Sequence, residues 1–316
     1  MLKSVLTRFR AYQLGNEGAS FSYFADGKFT FVEARITKIS SPSLMEELKA
    51  CGKQSLDTLH ITSWDQDHCD VVELGHILEH LLPTRIEYPG YTPHCDNAEE
   101  ALKVILAYRE QKRRQGRVVE CQRIDPPYIA SLNNAPEFGY NSILFHPKNI
   151  SADNNNDNST VKLFRSGSFN VLSLGDVEST AISANLRCYR SIQREVDIMI
   201  LAHHGADNGF TNKKFLQVVK PCIAVCTSNY DNQFDHPKQE IRDLLHEYEI
   251  PIYTTKTGDV LVQSVGDHSN KYQVVNLIAG STEVSSVRVG RSKKAHFLSQ
   301  NADTVRNSYR RPNRGP

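Results

Sequence analysis

Short apolar runs that end in polar, chemically loaded turns recur along the chain. Leu56-Asp57-Thr58-Leu59-His60-Ile61 is a strand-like segment leading into Asp65-Gln66-Asp67-His68. Residues 170–178 (NVLSLGDVE) form a second apolar run, closing on Gly175-Asp176, and residues 197–208 (DIMILAHHGADN) form a third, closing on His203-His204-Gly205. Short apolar runs bounded by turn residues predict buried strands. Elsewhere the period lengthens. Val72, Leu74, Ile77 and Leu81 fall at a roughly 3.6-residue period and predict a helix over 69–82. Further helices are expected at 43–51, at 98–115 with Leu102, Ile105, Leu106 and Tyr108 on one side, and at 237–249, opening on Pro237 as a favoured first helical position. Apolar positions in MLKSVLTRFRAYQL look like the first strand. Pattern alone gives a mixed α/β chain without internal repeats.

The three loaded turns follow predicted strands, where α/β folds usually build their sites. Alternate side chains of a loop at a strand end can turn inward, so Asp65, Asp67 and His68 are able to converge on one point. Carboxylate oxygen with imidazole nitrogen is the ligand mix of hydrolytic Zn²⁺ and Mn²⁺ sites. Taken alone, D-x-D-H reads equally well as a surface acidic turn; what makes it specific is the pattern that follows.

That pattern resembles the metallo-β-lactamase superfamily, and within it the branch found as the soluble hydrolase domain of the competence protein ComEC. The branch carries H-P-D-x-D-H, L-L-T-G-D and P-H-H-G-S. Here these read Ser63-Trp64-Asp65-Gln66-Asp67-His68, Leu172-Ser173-Leu174-Gly175-Asp176 and Ala202-His203-His204-Gly205-Ala206. Residues 10–24 keep the outline of the opening strand–turn–strand, with Gly15 and Gly18 in the turn. Glu33 stands at the acidic position that ends the next strand, and Asn141-Ser142-Ile143-Leu144 looks like N-x-S-L-V. Residues 223–237 match at Asn232, His236 and Pro237, residues 254–260 sit where the family has T-D-x-D-G-x-I, and coverage runs from roughly residue 7 to 264.

The resemblance implies a four-layer αββα sandwich and a divalent metal, Zn²⁺ or Mn²⁺ with Mg²⁺ as a third option. Its expected ligands are Asp65, Asp67, His68, Asp176 as bridging carboxylate, and one of the adjacent histidines. His203 is preferred because the related H-x-G form puts the ligand two residues before the glycine; His204 would then lie near substrate, with the roles open to exchange. Asp67, His204 and His236 are the candidate catalytic residues. Ser63, Trp64, Asn232 and Thr254 are candidate substrate contacts, Trp64 either packing against the loop or stacking on a nucleobase. His236 could donate to a substrate phosphate or protonate a leaving group, or be a plain surface histidine. The departures matter too. Ser63 replaces the first family histidine and Asp65 the second, and only His94 offers itself as the third, with an ordinary loop histidine the favoured reading. The first metal position is weakened, so one ion, with a second recruited alongside substrate, is expected.

Composition bounds the rest. At 316 residues and 39% apolar, the chain can bury a full core as one domain over 1–285. A net charge of +1 argues against a globally charge-driven partner. No stretch approaches the ~18 to 20 apolar residues of a membrane span, the N-terminus lacks a signal-peptide cleavage pattern, and seven cysteines without regular spacing suit reduced thiols, so a cytoplasmic location is expected. The Asn-rich stretch 147–160 is expected to be a mobile surface loop with no assigned function. Residues 286–316 hold eight Lys or Arg against one acid and are expected to be a flexible, disordered basic tail, either simply solvated or an arm for nucleic-acid backbone. The leading expectation is a metal-dependent phosphodiesterase acting on DNA. The alternatives are a hydrolase of a small phosphate ester or cyclic nucleotide, and a catalytically degenerate binding module.

Overall fold

The computed structural model describes residues 4–132 and 141–293. Two sheets face each other. The first has nine strands in the order β15-β14-β13-β1-β2-β3-β4-β5-β6: Val284–Arg291, Lys271–Leu277, Val260–Val265, Thr7–Ala11, Phe21–Ala25, Lys28–Val32, Thr58–His60, Arg85–Pro89 and Glu120–Ile124. The second has six, in the order β12-β11-β10-β9-β8-β7: Ile252–Thr254, Ile223–Cys226, Ile198–Ile200, Val171–Ser173, Val161–Phe164 and Ile143–His146. Within each sheet an antiparallel part passes into a parallel one, β3 to β6 in the first and β9 to β12 in the second.

Three apolar layers hold the sandwich together. Between the sheets, Phe9, Phe21, Tyr23 and Val262 meet Phe164, Val171, Ile200 and Val225. On the outer face of the first sheet, Phe31, Leu59 and Ile86 are covered by α1 (Ser40–Ala50), α2 (Val71–His80) and α3 (Asp96–Arg114) through Leu48, Ile77 and Ile105. On the outer face of the second, Leu163, Leu172 and Met199 are covered by α5 (Thr180–Leu186), α6 (Arg190–Glu195), α7 (Lys213–Val219) and α8 (Gln239–Glu247). A short α4 (Pro126–Ser131) packs Ile129 on Ile124 and Leu144 at the edge. Helix, sheet, sheet, helix is the four-layer αββα sandwich expected from the sequence. One buried ion pair crosses between the sheets: Lys162 Nζ of β8 lies 2.5 Å from Glu87 Oε2 of β5. Burial works against the Glu87 carboxylate, but Lys162 and His60 hold its pKa well below the usual range.

Three expectations need correction. The stretch 147–160 is a built segment of the fold: Asn158, Ser159 and Thr160 are buried, and the Thr160 amide donates to Thr62 O across the sheets at 3.0 Å. The basic terminus does not leave the fold at 286, because Ser286, Arg288 and Arg291 lie on β15. The Lys293 amide then donates to Asp197 Oδ1, and its ammonium to the carbonyls of Val219 and Lys220 at the end of α7. The remaining basic positions, 294–316, lie outside the described residues. Finally, α8 begins at Gln239 rather than Pro237, with Lys238 at its cap position in extended backbone.

Candidate metal centre

Four side chains from three distant segments meet at the carboxyl ends of β4, β9 and β10. One ligand atom each from Asp67, His68, Asp176 and His204 lies within 4.8 Å of the others. The loop after β4 places the first two. It turns back on itself through amide donations from His68 and Cys69 to Asp65 O, and Ala19 N and Ala34 N clamp the carbonyls of Asp67 and His68. Asp176 follows Gly175 at φ 56°, a left-handed conformation that a side chain resists. A Cβ at Gly175 would also meet Ser159 Cβ at 2.8 Å, so the close turn requires glycine. His203, His204 and Gly205 are all left-handed (φ 45°, 53° and 85°), and the His203 amide donates to Gly175 O at 3.0 Å, tying the two turns together.

Both histidines present the same edge to the cluster. His204 Nδ1 lies 2.7 Å from Thr227 O, and its Nε2 lies 3.1 Å from Asp67 Oδ2 and 3.8 Å from Asp176 Oδ2. His68 Nδ1 lies 3.2 Å from Glu33 Oε1, and its Nε2 lies 3.0 Å from Asp176 Oδ1. That Nε2 is buried with no aligned hydrogen-bond partner. With an outer oxygen as acceptor for each Nδ1 hydrogen, the remaining lone pair faces inward, which is how ligating imidazoles are oriented. Two carboxylates, two inward imidazoles and an orphaned buried nitrogen fit a divalent cation.

Electrostatics agree with close contact. Burial disfavours ionisation of Asp67 and Asp176, yet His68 and His204 hold both carboxyls below their usual range. Burial likewise disfavours charged imidazoles, and Asp176 with Asp67 raises both His68 and His204 above 6.5. His236 differs: burial, then His204 and His203, lower it to about 4, so it is neutral at pH 7.

The expected residues are distributed unevenly. Asp67, His68 and Asp176 come together. The adjacent histidines exchange roles, His204 joining the cluster while His203 Nδ1 sits 2.6 Å from Glu178 Oε1. The H-x-G form, with the ligand two residues before the glycine, favoured the other ring; here His203 and His204 are both left-handed, and it is His204 that turns toward the cluster. Asp65 stays out of the cluster: it accepts from Ser63 Oγ at 2.7 Å and lies 3.0 Å from His94 Nε2. His94 is therefore the partner of Asp65 and stays outside the cluster. Ser63 and Trp64, expected as substrate contacts, are fully buried. The Trp64 indole donates to Tyr91 O, and Tyr91 OH meets both Ser63 Oγ and Trp64 N, so these residues brace the loop. His236 and Asn232 line the cleft beside the cluster; Thr254 is not among its lining residues, and Thr227 and Ser228 occupy that wall.

Sequence reasoning missed Glu178, Thr227 O and Phe234. Glu178 accepts from the side-chain amides of Asn154 and Asn156 at 3.0 and 2.9 Å, so the Asn-rich segment supports the acid that holds His203. The only hint was a glutamate two residues after the G-D pair; a backbone carbonyl has no sequence signature at all.

No family profile matches the chain. It is 26% identical over 216 residues to ComE operon protein 3 of Bacillus subtilis, a match covering 67% of this chain and a quarter (25%) of that protein. It is 26% identical over 125 residues to Recombination protein 2 of Haemophilus influenzae, covering 39% and 15%. Solved structures similar to it include Igni18, a metallo hydrolase from Ignicoccus hospitalis (TM-score 0.47, 16% identity, 80% of this chain and 98% of that one). A diphosphatase of the PhnP family is also similar (TM-score 0.40, 16% identity, 82% and 98%). Motif order and the match to ComE operon protein 3 converge: the chain is a four-layer αββα sandwich that resembles metal-dependent hydrolases of the metallo-β-lactamase superfamily, and it spans about a quarter of the length of the curated relative it matches.

Proposed function

We propose that the chain is a metal-dependent phosphodiesterase that acts as a nuclease on DNA, with Asp67, His68, Asp176 and His204 as ligands of one divalent ion, Mn²⁺ or Zn²⁺. The observation carrying this reading is the pair of imidazoles whose Nδ1 edges are held outward while both Nε2 atoms face two carboxylates. A bound divalent ion supplies Lewis acidity, neutralising charge on a phosphoryl oxygen and making a water acidic near neutral pH. The protein's own contribution is orientation. Thr227 O and Glu33 fix the two imidazoles, and neutral His236 offers a ring N–H to a phosphate oxygen rather than acting as a cationic acid. Asp65, Ser63 and His94 pair with one another at the degenerate first position, which supports a one-ion centre. Unpaired cysteines and the absence, among the described residues, of any helix able to cross a membrane support placement in a reducing cytoplasm.

The test is cleavage of single- and double-stranded oligodeoxynucleotides by the purified protein with Mn²⁺. Asp176→Asn and His204→Ala are each expected to cost more than the roughly 10–100-fold typical of outer-shell changes. Cleavage unaffected by both substitutions rejects the assignment. A second reading, hydrolysis of a small phosphate diester, is favoured by one observation: among the described residues, the lining of the cleft contains no Lys or Arg. A polymer would gain little there from phosphates beyond the scissile one.

A further inference from the structure

The cleft has an aromatic wall that the chemistry at the cluster does not use. Phe234 lines it and is 53% exposed, unusual for a large apolar side chain at a polar site. Its ring lies nearly parallel to that of His236, 5.6 Å away at 24°, and His236 in turn lies nearly parallel to His204, 6.4 Å away at 17°. Ring contacts thus run from His204 of the cluster through His236 to Phe234, and about half of the last side chain is open to solvent.

The loop carrying this ring is fixed. Asn232 Nδ2 donates to Asn229 O and His236 O, Asn232 Oδ1 accepts from the His236 amide, and Asp235 N donates to Asn232 O. A rigid aromatic on a braced loop loses little entropy on binding, because only two side-chain torsions remain to be ordered. Scattered exposed apolar residues need no explanation; this one is set apart by lining a cleft and by its ring contact with His236. Tyr230, 73% exposed, lies on the same loop. Among the described residues the lining holds no Lys or Arg, and Phe234 supplies its flat aromatic surface.

We propose that the open face of Phe234 is a base-stacking subsite, taking the nucleobase beside the phosphodiester held at the cluster. The substrate class is then a single-stranded nucleotide chain or end, since a base inside a duplex has no free face to offer. The subsite rests on the phosphodiesterase reading for its meaning, but it can be tested apart from catalysis.

Two ratios are measured on the full chain. In EDTA, fluorescence anisotropy compares binding of a labelled pentathymidylate with that of an abasic chain of the same length. With Mn²⁺, kcat/KM is compared for thymidine 5′-(p-nitrophenyl phosphate) and methyl p-nitrophenyl phosphate. The wild-type protein is expected to favour the base-bearing molecule by about fivefold or more, the low end for base–aromatic stacking. Phe234→Ala is expected to remove that preference and Phe234→Tyr to keep it. No wild-type preference, an unchanged preference in Phe234→Ala, or its equal loss in Phe234→Tyr would each overturn the subsite. If the wild type turns over neither ester, the phosphodiesterase reading fails, while the EDTA ratio still decides the role of Phe234.

Discussion

Glu33 sits at φ 69°, backbone that a side-chain-bearing residue adopts at a cost of roughly 1–2 kcal/mol. Its carboxylate accepts from Thr62 N at 2.9 Å and Thr62 Oγ1 at 2.6 Å, and it faces His68 Nδ1. It therefore sets the orientation of the His68 ring, a proposed ligand, from outside the cluster. Glu33→Gln is expected to weaken Mn²⁺ or Zn²⁺ binding about 10–100-fold, measured by competition with a chromophoric chelator; unchanged affinity would remove Glu33 from the site. Proton linkage gives a second prediction. His68 and His204 have pKa values raised above 6.5 in the metal-free protein, so protons and a cation compete for the same nitrogens. Metal affinity should climb as pH rises through those raised values, with proton release seen by calorimetry in buffers of different ionisation heat. The same protonated pairs stabilise the metal-free fold below pH 6.5 and are lost as pH rises further, so chelated protein should melt earlier at alkaline pH. Asp67, His68 and Asp176 were legible as candidates because each follows an apolar run ending in a turn and because the order of the motifs matches the family pattern. The choice between His203 and His204 was not, because it depends on two successive left-handed residues that no spacing rule anticipates.

At the level of elements, apolar periodicity located α1, α2 and α3 within a few residues of their observed limits. Strand burial explains why β4, β9 and β10 were readable: each is buried or nearly so, so each appears as a continuous apolar run. Polar segments were misread for the converse reason. The Asn-rich stretch 147–160 looks solvated by composition, but its amides are consumed internally, Ser151 N and Ser151 O both meeting the Asn158 side chain. Side-chain amides satisfied by backbone groups and by Glu178 leave no apolar signal. β15 was missed because its residues are almost all exposed, so alternation between a wet and a dry face, the usual mark of a strand, is absent. Trp64 was open to two readings, packing and stacking; the hydrogen bond from its indole to Tyr91 O decides for packing.

On the scale of the whole molecule, the sandwich itself followed from motif order and resemblance, since periodicity alone distinguishes only mixed α/β. What no pattern revealed is how the two sheets are held in register, for instance by the Lys162–Glu87 pair buried between them. The cluster bears on the same question. Asp67 and His68 hang from the first sheet, Asp176 and His204 from the second, and four acidic and basic groups crowd together there. A cation coordinated by all four is a clasp across the open end of the sandwich, present in the folded state only. Ligand at a hundredfold over its dissociation constant should add about 2.7 kcal/mol of stability, visible as a melting point several degrees higher in Mn²⁺ than in EDTA for the wild type and absent in Asp176→Asn. Catalysis and cohesion would then be two duties of one ion, and a cell short of that metal would lose the protein to unfolding as well as to inactivity.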